Sequence, residues 1–135
     1  MREIIEKIEE LENVKIDKYC NYDGFSIKTN QNTYILAISN YQNCCESWGY
    51  SSSNDNFNEY IGAELLSIEI TDDELKTEEV KNDRYSYDIE ENVMFLTLHT
   101  SNGKLQFAVY NGHNGYYGHS ALFTKNGKII EDDIL

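Results

Sequence analysis

Apolar residues in this chain fall into short runs, and the spacing within the runs changes near residue 13. Before that point Ile4, Ile5, Ile8 and Leu11 recur three and four residues apart, with Glu3, Glu6, Glu9, Glu10 and Glu12 largely off the stripe. This pattern predicts an amphipathic N-terminal helix over residues 1–12, ending near Asn13. Beyond it the period becomes two. Val14-Lys15-Ile16 begins a strand running toward Cys20, Asp23-Gly24 supplies a turn, and Phe25-Ser26-Ile27 alternates as the return strand. Asn30-Gln31-Asn32 predicts another turn before a strand over residues 33–39. There Tyr34, Leu36 and Ile38 oppose Thr33, Ile35 and Ala37, so both faces are expected to be buried.

Residues 40–60 lose the alternation and read as a long loop, with one helical turn near 56–60. A strand is predicted over 64–70, with Leu66, Ile68 and Ile70 on one face. Strands at 93–100 and 104–110 flank Ser101-Asn102-Gly103, and strands at 121–124 and 128–130 flank Asn126-Gly127. Asn-Gly between alternating runs is the strongest short hairpin signal, and the chain has no proline to interrupt a strand.

The predicted fold class is therefore α+β: an N-terminal helix packed on a mostly antiparallel, strongly twisted sheet able to curl into a half-barrel, with an acidic arm. A length of 135 residues suits a single domain over 1–135. Its parts are a helix at 1–12, strands with a Cys-Cys-Glu loop at 14–70, the acidic arm at 71–91, and two hairpins at 92–131. An open sheet edge in such a fold invites pairing, which makes a homodimer an expected arrangement.

Charge narrows the choice of partners. Eleven basic residues stand against 24 acidic ones, a net of −13. Phosphate backbones are held mainly by Lys and Arg, so direct nucleic-acid binding is not expected. The segment from Glu69 to Glu91 holds ten acidic residues, opposed by Lys76, Lys81 and Arg84. It reads as a solvated arm, and Asp72, Asp73, Glu74, Glu78 and Glu79 are its candidates for docking on a basic protein groove. Three cysteines argue against a secreted disulfide framework. No apolar stretch approaches the roughly 20 residues that span a bilayer, and residues 1–12 lack the basic start and apolar run of a signal peptide. The expectation is a cytoplasmic protein with no membrane association.

Candidate chemistry gathers in two clusters. In residues 111–119, Gly112, Gly115 and Gly118 alternate with His113, Asn114, Tyr116, Tyr117 and His119. Glycine permits tight wrapping and close backbone approach, while His, Asn and Tyr bring donors, acceptors and stacking faces. The second cluster is Cys44-Cys45-Glu46, followed by Trp48. Three readings are open. In a metal site Cys44, Cys45, Glu46, His113 and His119 would supply ligands, although no Cys-x-x-Cys is present and five residues separate the two histidines. In a small enzyme Cys45 would be the nucleophile, with His113 or His119 as base and Glu46 or Asn114 as orienting group. In a binding pocket Trp48, Tyr116 and Tyr117 would stack on a ring while Asn111, His113, Asn114 and His119 hydrogen-bond polar groups. The binding reading demands least of the sequence, and no cofactor is specified by it. His99 lies on the Val93, Phe95 and Thr97 side of its strand and reads as a satisfied, half-buried histidine.

Cys44-Cys45-Glu46, Ile61-Gly62-Ala63, Leu98-His99-Thr100 with Gly103, and the run from Tyr110 to His119 resemble a family of small domains found in phages, prophages and the bacteria that carry them. The likeness covers roughly residues 33–124 and brings no activity with it. It implies a setting: a small phage or prophage protein in the host cell that antagonises host defence. Such a protein would bind a defence protein or sequester a small, nucleotide-like signal. A nucleotide ligand would need backbone amides, the histidines, or Arg84 and Lys104 brought from elsewhere, since the glycine loop has no Arg or Lys of its own.

Overall fold

The computed structural model describes residues 2–41, 47–71, 92–112 and 118–135. In chain order these residues form β1 (Ile5–Lys15), β2 (Asn21–Thr29), β3 (Thr33–Ser39), β4 (Ser47–Ser52), a 3-10 turn (Phe57–Glu59), β5 (Leu65–Thr71), β6 (Asn92–Thr100), β7 (Gly103–Gly112), β8 (Ser120–Lys125) and β9 (Lys128–Ile134). A five-stranded sheet runs β1-β2-β3-β8-β9, and a four-stranded sheet runs β4-β7-β6-β5. All paired strands are antiparallel. The fold is therefore all-β, not α+β, and it consists of two facing sheets rather than a helix on a half-barrel. Among the described residues no helix is long and apolar enough to cross a membrane.

The predicted helix is β1, and a bulge explains the misleading spacing. Ile5 pairs with Thr29 while Lys7 pairs with Lys28 and Ile8 with Ile27, so one residue is inserted between the first two pairs. A side chain three positions on would normally face the opposite side of a strand, but the extra residue restores it to the same face. Ile5 and Ile8 consequently both enter the core. An i, i+3 pair from a bulged strand is indistinguishable in sequence from one turn of helix. The glutamates that a helix would place in water instead line an edge strand, where charge discourages unwanted pairing. A second irregularity between Leu11 and Val14 contains Asn13 at φ 55°. It turns Val14 to the opposite face, where Val14 packs with Tyr22, Ala37 and Leu122.

The same device recurs in β5. Leu65 pairs with Thr100 and Ser67 with His99. The resulting bulge brings Leu65 and Ile68 to the core and leaves Leu66 61 % exposed, correcting the expectation that Leu66 shares a face with Ile68 and Ile70. The Asp23-Gly24 turn is also corrected, because both residues lie inside β2. A Cβ on Gly24 would run into the Leu36 carbonyl of β3, so glycine serves close strand approach there. In the stretch read as a loop, β4 pairs with β7, and the Tyr110 ring lies over Gly49. The Asn-Gly hairpin at Asn126-Gly127 forms as expected, both residues taking positive φ (53° and 84°). Both faces of β3 are buried, Tyr34, Leu36 and Ile38 toward one cluster and Ala37 toward another.

The sheets meet through one apolar cluster containing Ile5, Ile8, Phe25, Ile27, Leu36 and Phe123 from one sheet and Leu96, Leu98, Leu105, Phe107 and Val109 from the other. Phe25 sits at its centre, with ring centroids 4.6 Å from Phe107, 5.4 Å from Tyr50 and 6.1 Å from Phe57. Each such buried side chain contributes about 2–3 kcal/mol of transfer free energy. At one rim Glu3 accepts hydrogen bonds from Thr29 Oγ1 (2.7 Å), Asn32 Nδ2 (2.8 Å) and Tyr34 Oη (2.9 Å). Burial would raise the Glu3 carboxyl, but these donors and Lys125 outweigh it and hold it below its ordinary value. Burial and then the bond to Glu3 push Tyr34 up to about 12.

Two outcomes follow from this architecture. Leu65→Ala should cost about 2–5 kcal/mol in urea unfolding, while Leu66→Ala should stay within about 0.5 kcal/mol of the parent; equal costs would remove the β5 bulge. In alkaline titration the stability added by Tyr34 is complete below its ordinary value of 10.0 and lost as pH rises toward 12. Tyr34→Phe should abolish that step in unfolding curves recorded across the same range.

Candidate functional site

Among the residues singled out from the sequence, Trp48, Asn111 and His119 are described; Cys44, Cys45, Glu46, Asp72, Asp73, Glu74, Glu78, Glu79, His113, Asn114, Tyr116 and Tyr117 lie outside the described residues. The three are brought together. Trp48 and Asn111 are register partners on β4 and β7. The Trp48 ring stacks on the His119 imidazole at 5.5 Å and 27°. His119 Nδ1 lies 2.7 Å from the Ser39 carbonyl oxygen, which can only accept, so Nδ1 carries the proton. His119 and Leu135 exchange reciprocal backbone hydrogen bonds of 2.9 Å, and Asn111 Nδ2 donates to the same Leu135 carbonyl at 3.0 Å. His119 and Asn111 are fully buried. This trio is an internal tie that locks residue 135 and the start of β8 onto the end of β7.

On the outer side of the same tie lies a groove of about 450 Å³, lined by Tyr19, Cys20, Ser39, Tyr41, Gly118, Ser120 and Ile134. Three of the most exposed large apolar side chains form its walls: Tyr19 at 81 %, Ile134 at 68 % and Tyr41 at 67 %. Ser39 joins the tie to the groove it lines: its carbonyl accepts from His119 Nδ1, and its hydroxyl, 3.3 Å from the same Nδ1, accepts from Ser120 N at 3.2 Å. A Cβ on Gly118 would sit 2.5 Å from Ile134 Cγ2, so glycine here lets Ile134 close over the groove.

The wall that carries Tyr19 and Cys20 is set by Asp17. One carboxylate oxygen accepts from Tyr19 N (2.9 Å) and Cys20 N (3.3 Å), and the other from Tyr22 Oη (2.5 Å). Such an Asx turn follows from an aspartate two and three residues before the amides it caps. Burial works to raise the Asp17 carboxyl, but the Tyr22 hydroxyl and the two amides overcome it and hold it below its ordinary value. Tyr22 moves the other way, raised by burial and by its bond to Asp17. Lys18 Nζ lies 5.5 Å from the Tyr19 ring centroid, placing a cation beside the groove.

Sequence reasoning missed this groove because its walls come from four separated segments. The one available signal was Asp17 followed by Tyr19 and Cys20, a turn signature inside what read as a strand. His99 is placed as expected: half-buried on the outer face of β6, its Nε2 2.6 Å from Glu69 Oε1. Among the described residues no cluster of three or more His, Cys, Asp or Glu could hold a metal ion.

The geometry defines an all-β, two-sheet protein with an aromatic-rimmed groove at one end. The chain belongs to the family described as Domain of unknown function (DUF7448), whose model matches residues 2–123, from the chain's start into β8. No curated protein and no solved structure matches it.

If Asp17 sets the groove wall, Asp17→Asn should speed alkylation of Cys20, read by peptide-resolved mass spectrometry, and leave the fold intact. The sign for the parent protein is fixed by the lowered carboxyl: the clamp is complete above the ordinary value of 3.8 and released only as pH falls through the lower folded value. Labelling that is equal in both proteins would show that Asp17 does not control the loop.

Proposed function

We propose that this protein is a non-enzymatic binding protein and that the groove between the 16–20 loop and the end of β9 is its contact surface. The observation that carries the reading is the convergence of Tyr19, Tyr41 and Ile134, all largely exposed, on one concavity. Exposed aromatic side chains are costly to leave in water, and tyrosine in particular serves recognition because its ring buries area at low entropic cost while its hydroxyl finds polar partners. Described residues that flank the two sequence clusters lie at this end of the fold. Ser47, which follows Glu46, pairs with Gly112, which precedes His113, and Gly118 lines the groove itself. The likeness to phage and prophage domains supplies the setting: an antagonist of host defence in the host cell, acting by occupying a protein partner.

A second reading, sequestration of a small nucleotide-like anion, is favoured by Lys18 beside Tyr19. Together they offer a ring to stack on and a positive charge next to it. The alternative of a Cys/His/Glu enzyme predicts turnover that His113→Ala abolishes.

Native mass spectrometry of the protein purified from its own cells, without added metal or chelator, compares the parent with a Tyr19→Ala/Tyr41→Ala double variant. A partner or small-molecule mass carried by the parent and lost from the double variant, at unchanged thermal stability, is the expected result. Retention of the same bound mass by the variant would remove the groove from the reading. Mutation-sensitive turnover would replace binding by catalysis.

A further inference from the structure

The strand β9 closes one side of the five-stranded sheet, pairing with β8 on one side and with no described strand on the other. All seven of its residues are exposed, including Ile129, Ile130 and Ile134. The other edge of this sheet, β1, carries several glutamates and two irregularities, and it continues at Ile4 into a bridge with Glu64 of the second sheet. We propose that the open edge of β9 accepts an extended, basic segment of a partner protein by strand addition.

The backbone supplies the first part of the argument. His119 and Leu135 form a reciprocally hydrogen-bonded pair. Alternation along an antiparallel ladder then turns the N–H and C=O groups of Ile134 and Asp132 away from β8. The Ile134 N–H is closed by Asp133 Oδ1 at 2.8 Å. An added strand therefore pairs from Asp132 toward Lys128. Ile130, skipped between the Phe123–Glu131 and Thr124–Ile129 pairs, is the bulged residue of that stretch.

Side chains decide the partner's chemistry. Glu131 and Asp133 stand opposite Phe123 and Ala121 and share their core-facing side, whereas Ile129 stands opposite Thr124 on the outer side. A segment alternating basic and apolar residues places a cation beside Glu131 and, just past the end of the ladder, another near Asp133, while its apolar group meets Ile129 on the outer side that Asp132 shares. A second copy of this chain is the competing occupant: self-pairing centred on Ile130 sets Lys128 against Asp132, but pairing centred on Asp132 sets Glu131 against Asp133 and Asp132 against itself, and like charges directly opposite are destabilising. The net charge of −13 acts in the same direction, repelling other copies and drawing in a basic partner. This inference deepens the binding reading by naming a partner chemistry, but it makes no use of the groove.

The test uses a synthetic peptide of four Lys-Val repeats, blocked at both ends, titrated into the full-length protein at low and at high salt. The expected result is saturable binding with backbone amide shifts centred on residues 128–132. Affinity should fall about tenfold in a Glu131→Gln/Asp132→Asn/Asp133→Asn variant. It should also be lost when alternate peptide nitrogens are methylated to block a ladder. The Tyr19→Ala/Tyr41→Ala variant should bind this peptide unchanged, which separates failure here from failure of the groove. Undiminished binding of the methylated peptide, shifts centred on β1, no binding at all, or a homodimer joined through β9 would each overturn the proposal.

Discussion

Phe25 packed on Phe107 is the contact on which the arrangement of the two sheets depends. Neither sheet has a covered inner face without the other, and the cluster around these rings draws side chains from both. Hydrogen-bonded ladders hold each sheet together but say nothing about how the sheets meet, since backbone pairing operates only within a sheet. The orientation of the layers comes from apolar burial, with Tyr50 and Phe57 closing edge-on around Phe25.

That shared core imposes a condition on every strand that crosses it, and two strands meet the condition only by bulging. In β1 and β5 the apolar residues stand three apart, at Ile5 and Ile8 and at Leu65 and Ile68, and an inserted residue brings each pair to one face. The starts of these two strands are also joined, through the Ile4–Glu64 bridge and the hydrogen bonds from Ile5 N to Ala63 O and from Leu65 N to Glu3 O. Bulges increase local twist and bend a strand, which suits two strands that meet at a corner between sheets.

At the opposite end the tie of Trp48, Asn111, His119 and Leu135 fixes the start of β8, and Ser39 passes that order to the outer surface. The groove is a consequence of this tie and of the Asp17 clamp, which between them position Gly118, Ser120, Tyr19 and Cys20. Tyr19, exposed on a turn clamped by Asp17, is well suited to recognition, because little further ordering of that turn is required when a partner arrives. The end of β9 contributes Ile134 to the same groove, so the surface proposed for contact and the edge proposed for strand addition are continuous.

Local sequence determined the features that depend on neighbours in the chain. The positive-φ turn at Asn126-Gly127, the two-sided burial of β3 and the single turn at Phe57–Glu59 follow from residue type and short-range alternation, and they stand in the structure as read. The satisfied His99 was also legible, from its place on one side of an alternating strand. Of the candidate site, the sequence grouped Trp48, Asn111 and His119 as residues contacting a ligand, but gave neither the burial of Asn111 and His119 nor Tyr19, Tyr41 and Ile134. Tertiary structure alone decided that residues 5–15 are a strand. Three- and four-residue spacing fits one face of a helix and one face of a bulged strand equally well, and pairing with β2 and burial against the second sheet make the choice. It also decided the groove, because no local pattern records which of several distant segments will share one concavity.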